Sequence, residues 1–301
     1  MRGRVFLTIL AALAVAGPAA AQAPPGSYVL PGNAVYPEGI TFEESTGNFY
    51  VTSTQDGTIF RGNVDAPEAS VFIPGDGRLF SAIGTKVDDA ADRLYVAGGR
   101  TGEVRVHSTA TGALLQTLQT GEGGFLNDLV LTGSGIFVTD SMRPILWRVP
   151  PGGGSIEPFL DFTGTTLQYQ PGFNLNGIVV TDDGRYLVVS QSNTGRVFRI
   201  TIATKDVVGI DLGFDRVPGD GLLLRGQTLY AVAGGGVVRV TLSGDFTSGR
   251  VYSRTFDRRF RSPTTIAFAR DRLLVVNSQF PARTGGYPPQ LPFTVTSIGI
   301  P

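Results

Sequence analysis

The sequence has no cysteine and a single histidine, His107, and these two shortages remove several kinds of chemistry. Without cysteine there are no disulfides, thiolate zinc sites, cysteine nucleophiles or thiol redox steps, and one histidine cannot build a multi-histidine metal site. An excess of charge is also lacking, because 25 Lys and Arg residues balance 25 Asp and Glu residues. A chain without net charge offers no broad electrostatic surface, so we expect no nucleic acid or anionic membrane as a partner.

Uninterrupted stretches suited to helices are scarce, since 41 glycines and 19 prolines are spread over 301 residues. The hydrophobic share of 42% and the charged share of 17% are typical of a globular chain with a large core. This composition favours many short strands joined by turns. Any catalysis must use carboxylates, hydroxyls or a metal ion held by oxygen atoms.

The N-terminus differs from the rest of the chain. Two arginines within residues 1–4 precede an apolar run at 5–16, and Gly17-Pro18 then separates this run from three alanines. This pattern predicts a secretory signal peptide at residues 1–21, cleaved after Ala21, with Ala23 as the alternative cleavage site. The run is shorter than the roughly 20 residues of a spanning helix, so we expect a secreted or periplasmic protein without a stable membrane anchor.

A repeat of about 45 residues runs through the remaining sequence. Its most regular element is a short apolar strand that ends in small or polar residues, at 49–53, 94–98, 136–140, 186–190, 229–233 and 273–277. Alternating segments before and after most copies give each unit three or four antiparallel strands. Small sheets that cannot bury both faces alone close into a ring, so we predict an all-β, six-bladed β-propeller as a single domain over 22–301. A β-sandwich is the alternative, but it gives no reason for six equivalent units.

A further strand lies ahead of the first repeat, at Ser27–Leu30. We predict that it forms the outer strand of the last blade beside residues 293–298. This pairing would lock the two ends of the ring together.

One position of the repeat, the start of the innermost strand, is polar in most units. Its six residues, spaced 44 to 49 apart, are Glu38, Ile83, Asn127, Asn176, Asp220 and Thr264. In a propeller this position points into the central channel at one height, so carboxylate and amide oxygens would meet there. Such a set suits a hard divalent cation, calcium above all. The ion would also offset the repulsion between Glu38 and Asp220, which otherwise makes one of them take up a proton. The alternative is a polar lining of a water-filled channel.

Four motifs occur on different units in a fixed order: Pro37-Glu38-Gly39, Asn127-Asp128, Asn176-Gly177 and Gly219-Asp220-Gly221. They resemble the motifs of the SMP-30/gluconolactonase/LRE-like family from about Ala34 onward. The order is also similar to the calcium sites of the diisopropyl fluorophosphatase and paraoxonase propellers. The resemblance implies a six-bladed propeller with a divalent cation at the channel top that hydrolyses lactones or organophosphate esters. It further implies Glu38, Asn176 and Asp220 as ligands, Asn127 as a ligand or substrate contact, and Asp128 as a carboxylate behind them.

Two departures from these families limit the expected substrates. Gluconolactonase-like members usually carry an arginine just ahead of the Asn-Asp pair, where this chain has Phe125 and Leu126, so sugar-lactone specificity is not expected. Paraoxonases use a histidine pair, whereas His107 stands alone in an alternating outer segment, so we expect it to have no catalytic role.

The channel mouth is predicted to carry aromatic side chains and several strand-end polar residues. Phe125, Tyr169 and Phe173 are the candidate substrate contacts, and Phe80, Asp140, Gln191 and Asn277 are placed on the same face. The loop at 278–292 is the longest turn-rich insertion. It is either a lid or a surface loop stiffened by prolines.

Two functions from different classes fit this pattern. The first is a monomeric, secreted, calcium-dependent hydrolase of lactones or related esters, with the metal as Lewis acid and Asp220 as general base or nucleophile on a small-molecule substrate. The second is a non-enzymatic propeller that binds a small ligand or a protein partner and holds a structural calcium ion. The fold alone does not decide, because propellers host both.

Overall fold

The computed structural model describes residues 25–76 and 80–301, so the predicted signal peptide and its cleavage site lie outside the described residues. The described residues form six four-stranded antiparallel sheets arranged as the blades of a ring. The predicted six-bladed β-propeller is therefore confirmed.

The blades follow one another along the chain, each from an innermost to an outermost strand. The first strand, β1 (Ser27–Leu30), belongs to blade 6. Blade 1 contains β2 (Pro37–Glu43), β3 (Asn48–Ser53), β4 (Ile59–Asn63) and β5 (Ser70–Ile73). Blade 2 contains β6 (Thr85–Asp88), β7 (Arg93–Ala97), β8 (Glu103–Ser108) and β9 (Leu114–Gln119). Blade 3 contains β10 (Leu126–Thr132), β11 (Gly135–Asp140), β12 (Ile145–Val149) and β13 (Glu157–Asp161).

The second half of the ring continues the pattern. Blade 4 contains β14 (Leu175–Val180), β15 (Tyr186–Gln191), β16 (Arg196–Thr201) and β17 (Val207–Gly209). Blade 5 contains β18 (Leu222–Arg225), β19 (Thr228–Ala233), β20 (Gly236–Leu242) and β21 (Gly249–Thr255). Blade 6 contains β22 (Pro263–Ala269), β23 (Arg272–Asn277) and, after the short helix α1 (Phe280–Gly285), β24 (Phe293–Gly299).

The ring is closed by the pairing of β1 with β24, as predicted. The two strands run antiparallel, with Ser27 opposite Thr296 and Leu30 opposite Phe293. Tyr28 and Leu30 are almost fully buried, and burying side chains of this size is worth about 1.5–3 kcal/mol each. The two ends of the described chain thus stabilise the same blade.

Each second strand packs against both neighbouring blades, which explains its continuous apolar sequence. In β15, Leu187 and Val189 pack in one buried cluster with Phe137 and Ile178, while the intervening Val188 packs in a different cluster with Leu222. Alternate side chains of one strand therefore face opposite neighbours. A polar face never develops on these strands.

The innermost strands approach one another as bare backbone. A side chain added at Gly39 would place its Cβ 2.3 Å from the carbonyl oxygen of Ile83, and one at Gly177 would lie equally close to the carbonyl oxygen of Asp220. The backbone N–H of Gly84 in blade 2 donates to the Asn127 carbonyl in the neighbouring blade 3 at 2.8 Å. This close approach requires glycine at positions 39 and 177.

The loop at 278–292 contains the six-residue helix α1, with Pro281 in its first turn and Gly286 as its C-cap in a left-handed conformation. Its base is fixed because the Gln279 side chain donates to the Gln290 carbonyl and accepts from the Gln290 N–H, both at 2.7 Å. Across the described residues, no helix combines the length and apolar character needed to cross a membrane.

Candidate functional site

A cavity of about 660 Å³ lies at one end of the central channel and brings together the four predicted polar residues. We call Glu38, Asn127, Asn176 and Asp220 the cavity floor. The remaining lining residues are Thr54, Ser81, Ile83, Arg100, Thr101, Phe125, Phe173, Phe280 and Arg283. A cavity of this volume accommodates a small organic molecule.

Three of the four floor side chains project from irregular points of their strands. The strand register shifts between Pro37 and Ile40 in β2, and equivalent shifts flank Asn127 in β10 and Asn176 in β14. A bulge of this kind leaves a residue outside the regular pairing and redirects its side chain. Asp220 instead directly precedes β18, whose pairing with β19 is regular.

Hydroxyl groups from the second strands replace the ladder bonds that the bulges remove. Thr52 Oγ1 accepts from the Gly39 N–H at 2.8 Å and donates to the Ile83 carbonyl of the next blade at 2.5 Å. Thr139 Oγ1 likewise accepts from the Asp128 N–H at 3.0 Å and donates to the Asn176 carbonyl at 2.8 Å. These hydroxyls connect neighbouring blades by hydrogen bonds beside the floor. Sequence reasoning missed them, although a Thr or Ser recurs at this position in the second strands.

The orientation of the Asn127 amide is fixed by its neighbours. Ser141 Oγ donates to the Leu175 carbonyl at 2.5 Å, so it accepts from Asn127 Nδ2 at 2.9 Å. Asn127 Oδ1 therefore faces the cavity. Asn127 Oδ1 and Glu38 Oε2 are both buried and have no hydrogen-bond partner among the described residues.

Two buried acceptors without a partner are costly, at about 1–3 kcal/mol each, and call for an explanation at a native site. Here both oxygens lie in a cavity that also contains the Asp220 carboxylate and the Asn176 amide. A hard cation would satisfy all of these oxygens at once, so the residues present fit such an ion. Within the described ranges, no three His, Cys, Asp or Glu side chains are grouped as metal ligands. A cation at the floor would therefore depend on the asparagine oxygens as well as the two carboxylates.

The two floor carboxyls resist ionisation. Burial raises the pKa of Asp220 to about 7, opposed by a hydrogen bond with Asn176 and reinforced by the charge of Asp128. Burial also raises the pKa of Glu38 well above its usual range, and the charges of Asp220 and Asp128 raise it further. Asp220 opens partly into the cavity, but the surrounding protein still removes most of its solvation. Without an ion, the pair retains a proton near neutral pH.

Asp128 lies behind the floor and does not line the cavity. Its Oδ1 accepts from Lys86 Nζ at 2.8 Å and from the Leu129 N–H at 2.8 Å. Its Oδ2 faces the Ile178 N–H at 3.4 Å. Whether Asp128 acts as a carboxylate behind the ligands, as the family resemblance implies, stays a prediction. Sequence reasoning missed Lys86, whose positive charge also lowers the pKa of Glu38.

Phe125 and Phe173 form an aromatic wall at the cavity mouth, with ring centroids 4.9 Å apart in an edge-to-face arrangement. The Phe125 N–H donates to Asp140 Oδ1 at 2.8 Å. Asp140 also accepts from Arg143 Nε at 2.7 Å and from Trp147 Nε1 at 3.2 Å, and it is fully buried. Asp140 is therefore an anchor for the wall rather than a group that can reach a substrate.

Other residues predicted at the mouth are placed elsewhere. The Tyr169 hydroxyl donates to the Asp140 carbonyl, and its ring stacks on Phe162 with centroids 6.1 Å apart. Tyr169 does not line the cavity, so its position does not support the predicted substrate contact. Phe80 is buried beneath the Arg105 guanidinium, 3.8 Å from its ring centroid.

The predicted strand-end amides also form hydrogen bonds within the protein. Gln191 Nε2 donates to Asn174 Oδ1 at 2.9 Å, and Asn277 Nδ2 donates to Thr296 Oγ1 at 2.9 Å. His107 lies on β8, the third strand of blade 2, and its Nδ1 is 3.1 Å from the Gly112 carbonyl oxygen. Burial lowers the pKa of His107, and the residue does not contribute to the cavity lining.

The cavity rim contains residues that the sequence did not predict. We call Phe125, Phe173, Phe280, Arg100 and Arg283 the cavity rim. Phe280 and Arg283 come from α1, and Arg100 comes from the loop after β7. The clue in the sequence was the long insertion at 278–292, but no repeat position marks which of its side chains face inward.

Comparisons with known proteins identify the fold. No family model matches the chain, and no curated protein matches its sequence. A gluconolactonase from Xanthomonas campestris superimposes with a TM-score of 0.63 at 18% identity, covering 89% of this chain and 87% of that one. Regucalcin from Agrobacterium tumefaciens, described as a calcium-binding protein, gives 0.62 at 17% identity, covering 91% and 95%. The Malassezia sympodialis allergen Mala s 1 gives 0.67 at 13% identity, covering 91% and 96%.

These similarities extend over nearly the whole propeller. They include proteins of the SMP-30/gluconolactonase/LRE-like type that the four motifs resemble, together with an allergen whose name states no activity. At such low identity the superposition shows a shared fold only, and the chemistry has to be inferred from the site. The chain thus has the six-bladed propeller fold of gluconolactonase and regucalcin.

Proposed function

We propose that the protein is a metal-dependent hydrolase of lactones or related esters and that the cavity is its active site. The observation that carries this proposal is the pair of buried, unpartnered oxygens, Glu38 Oε2 and Asn127 Oδ1, in an open cavity with Asn176 and Asp220. The gluconolactonase with the same fold supports the reaction class. A purely structural ion would not require an aromatic-walled opening above it.

Glu38, Asn176 and Asp220 would hold the cation, with Asn127 as a fourth ligand or as a contact to the substrate. The donor set favours calcium, because it offers only carboxylate and amide oxygens. A bound divalent cation would act as a Lewis acid on the carbonyl or phosphoryl oxygen of the substrate. The calcium binding ascribed to regucalcin, which shares the fold, supports this choice.

The remaining work falls to side chains of the floor and rim. Asp220 is assigned as the general base that takes a proton from an attacking water, or as the nucleophile, because its carboxyl opens into the cavity and Asn176 orients it. Phe125 and Phe173 would pack against the apolar part of the substrate and exclude water from the ester. The rim thereby selects the substrate, and the floor carries the reaction.

Export and assembly state form part of the same proposal. The signal-peptide pattern at 1–21 supports a secreted or periplasmic protein. The proposed protein would act on a small molecule and would be a monomer. The absence of cysteine from the sequence means that folding needs no oxidising compartment.

The test is hydrolysis of a panel of lactones, aryl esters and phosphotriesters by the calcium-loaded protein. Hydrolysis is measured as proton release, with and without chelator. Chelator-sensitive turnover of at least one class is expected. Calcium binding should be measured on the same preparation by calorimetry. Calcium bound but no hydrolysis across the panel would contradict the proposal and favour the non-enzymatic binding propeller.

A further inference from the structure

Two arginines at the cavity rim lack an acidic partner in the described part of the chain. Among the described residues, neither Arg100 nor Arg283 takes part in any of the ion pairs of the protein. Both line the cavity above the floor carboxylates. The cavity therefore has a floor of two carboxyl groups and a rim with two positive charges.

Arg283 is held in a defined orientation by Thr54. Thr54 Oγ1 donates its hydrogen to the Tyr36 carbonyl at 2.7 Å, so it accepts from Arg283 Nη1 at 2.8 Å. The same Nη1 also faces the Thr54 carbonyl at 3.3 Å, and the guanidinium lies 5.5 Å from the Tyr36 ring centroid. Nη2 and Nε have no hydrogen-bond partner among the described residues. These free donors form one edge of a planar fork, which suits a carboxylate or phosphate.

The element that carries Arg283 is itself anchored. Ala282 is buried, and Phe280 packs against the core shared by blades 6 and 1. The Gln279 side chain closes the loop on Gln290 through two hydrogen bonds of 2.7 Å. Of the two sequence interpretations, this geometry favours a fixed loop over a mobile lid. Arg283 is thus a preorganised donor at a built site.

We propose that the substrate carries an anionic group, a carboxylate, that pairs with Arg283 at the rim. This inference rests on the proposed function and names its substrate class: an ester or lactone with an apolar body and a terminal carboxylate. The apolar body would lie against Phe125, Phe173 and Phe280, while Arg283 keeps the charge at the rim and directs the ester towards Asp220. Arg100 adds a second positive charge at the same opening.

The rim and the floor differ in what they offer to an asymmetric substrate. Arg283 places an unpaired positive charge at the rim, whereas the charges of Glu38 and Asp220 at the floor would be offset by the bound cation or by the proton that they share, so the anionic end of the substrate is favoured at the rim. Hydrogen bonds to charged groups are worth about 1.5–3 kcal/mol. Loss of the Arg283 fork should therefore weaken an anionic ligand by about tenfold to a hundredfold, and a neutral analogue hardly at all.

The experiment compares 4-phenylbutyrate with its neutral amide, 4-phenylbutanamide, by calorimetry on calcium-loaded and metal-free protein. Wild type is expected to bind the anion at least tenfold more tightly than the amide. Arg283→Gln should remove this preference. Arg283→Lys keeps the positive charge without the planar fork and should retain part of the preference for the anion. This variant is measured in place of Arg283→Gln if Arg283→Gln does not fold. Arg250→Gln, at an exposed position on β21, is the matched control and should bind as wild type does.

Several results would overturn the proposal. Equal affinity for the anion and the amide, no binding of either compound, or a preference that survives in Arg283→Gln would each do so. A preference that appears only with calcium and is unchanged in Arg283→Gln would assign the carboxylate to the cation instead. Because the readout is binding, failure of the hydrolase proposal is recognised separately, as tight anion binding without turnover of any ester.

Activity provides the second arm. The mono-4-nitrophenyl ester of glutaric acid and 4-nitrophenyl butyrate share a leaving group and differ in the terminal carboxylate. Wild type is expected to show a lower KM for the anionic ester, and Arg283→Gln should raise this KM about tenfold or more with a smaller change for the neutral ester. An equal change in KM for both esters would indicate a structural role for Arg283 and contradict the assignment.

Discussion

The cavity floor and the cavity rim are built in different ways. Floor residues occupy one equivalent position of the repeat in blades 1, 3, 4 and 5, and in the first three of these blades the strand register shifts beside the floor residue. Hydroxyls of Thr52 and Thr139 hold the backbone next to two of them. Rim residues come from loops of unequal length, and Arg283 lies on the one helix inserted into blade 6 among the described residues. The repeat thus supplies the cavity floor that we propose as the metal site, while the insertions supply most of the charged and aromatic side chains above it.

The largest expected effect distinguishes the chemistry of the floor from the selectivity of the rim. Asp220→Asn should lower kcat at least a thousandfold, because an amide accepts no proton and is a poor nucleophile, while its oxygen still supports some calcium binding. Steady-state kinetics and calorimetry on the same samples measure both quantities. Asp271→Asn is the matched control and should retain wild-type kcat. Asp271 is exposed in the turn between β22 and β23, at the other end of the innermost strand from the floor position.

Full activity of Asp220→Asn with calcium bound would reduce Asp220 to a ligand. Asp128 would then be the next carboxylate to consider, although Lys86 and two backbone N–H groups already occupy its oxygens. Asp140, a third possibility in sequence terms, is committed to Arg143 and Trp147.

The sequence predicted the floor much better than the rim, for a physical reason. A repeat forces equivalent residues to one height in the channel, so the spacing of the four floor residues along the chain is enough to predict that they meet. Ring closure by Ser27–Leu30 followed from the same logic and is confirmed. Tyr169 shows the limit: its place in the loop leading into an innermost strand predicted a position at the mouth, but its hydroxyl donates to the Asp140 carbonyl and it does not line the cavity.

Arg100, Phe280 and Arg283 of the rim could not be predicted because the positions of their side chains depend on loop conformation, whereas Phe125 and Phe173 were predicted at the channel mouth. Nothing in the order of residues 278–292 states that Ala282 turns into the core and Arg283 turns towards Thr54. The sequence did show that the usual family arginine is absent where Phe125 stands. The structure places a different pair of arginines, from other loops, at the same cavity.

Calcium should stabilise the protein through the floor and independently of the rim. The proposed ion would join side chains from blades 1, 3, 4 and 5, and a ligand at a hundred times its Kd adds about 2.7 kcal/mol to the native state. For a chain of this size the expected rise in Tm is roughly 5 °C. Calorimetric melting at pH 8 should show this rise for wild type and Arg283→Gln and a much smaller rise for Glu38→Gln. An unchanged Tm in wild type would mean that the floor holds no calcium.

The pH dependence of the metal-free protein gives the next largest effect. Since burial raises the pKa of Asp220 to about 7 and raises that of Glu38 as well, the folded state binds protons that the unfolded state releases at lower pH. Stability from these groups is complete below their unfolded pKa of about 4 and is lost as pH rises through the folded values. Metal-free protein should therefore melt at a lower temperature at pH 8 than at pH 6.

Calcium reverses this trend because it replaces the shared proton. The calcium-induced rise in Tm should be larger at pH 8 than at pH 6, and Asp220→Asn should flatten the metal-free pH profile. A metal-free Tm that rises steadily from pH 6 to pH 8 would contradict the raised pKa values at the floor. Arg283→Gln is the control and should follow the wild-type profile, since its charge is absent from the contacts that shift either carboxyl.

The smallest expected effect concerns His107, which belongs to neither region. His107 lies on β8, is buried and has its Nδ1 3.1 Å from the Gly112 carbonyl oxygen, and a glutamine side chain can supply a similar donor. His107→Gln should leave kcat/KM within about twofold of wild type and change Tm by a few degrees at most. Burial lowers the pKa of His107, so its own contribution to stability is present above the unfolded value of about 6.5 and is lost on acidification. The variant should consequently lose less stability than wild type between pH 6.5 and pH 5, which melting curves can resolve. A tenfold loss of kcat/KM would instead connect blade 2 to the chemistry and would require a second functional region outside the cavity.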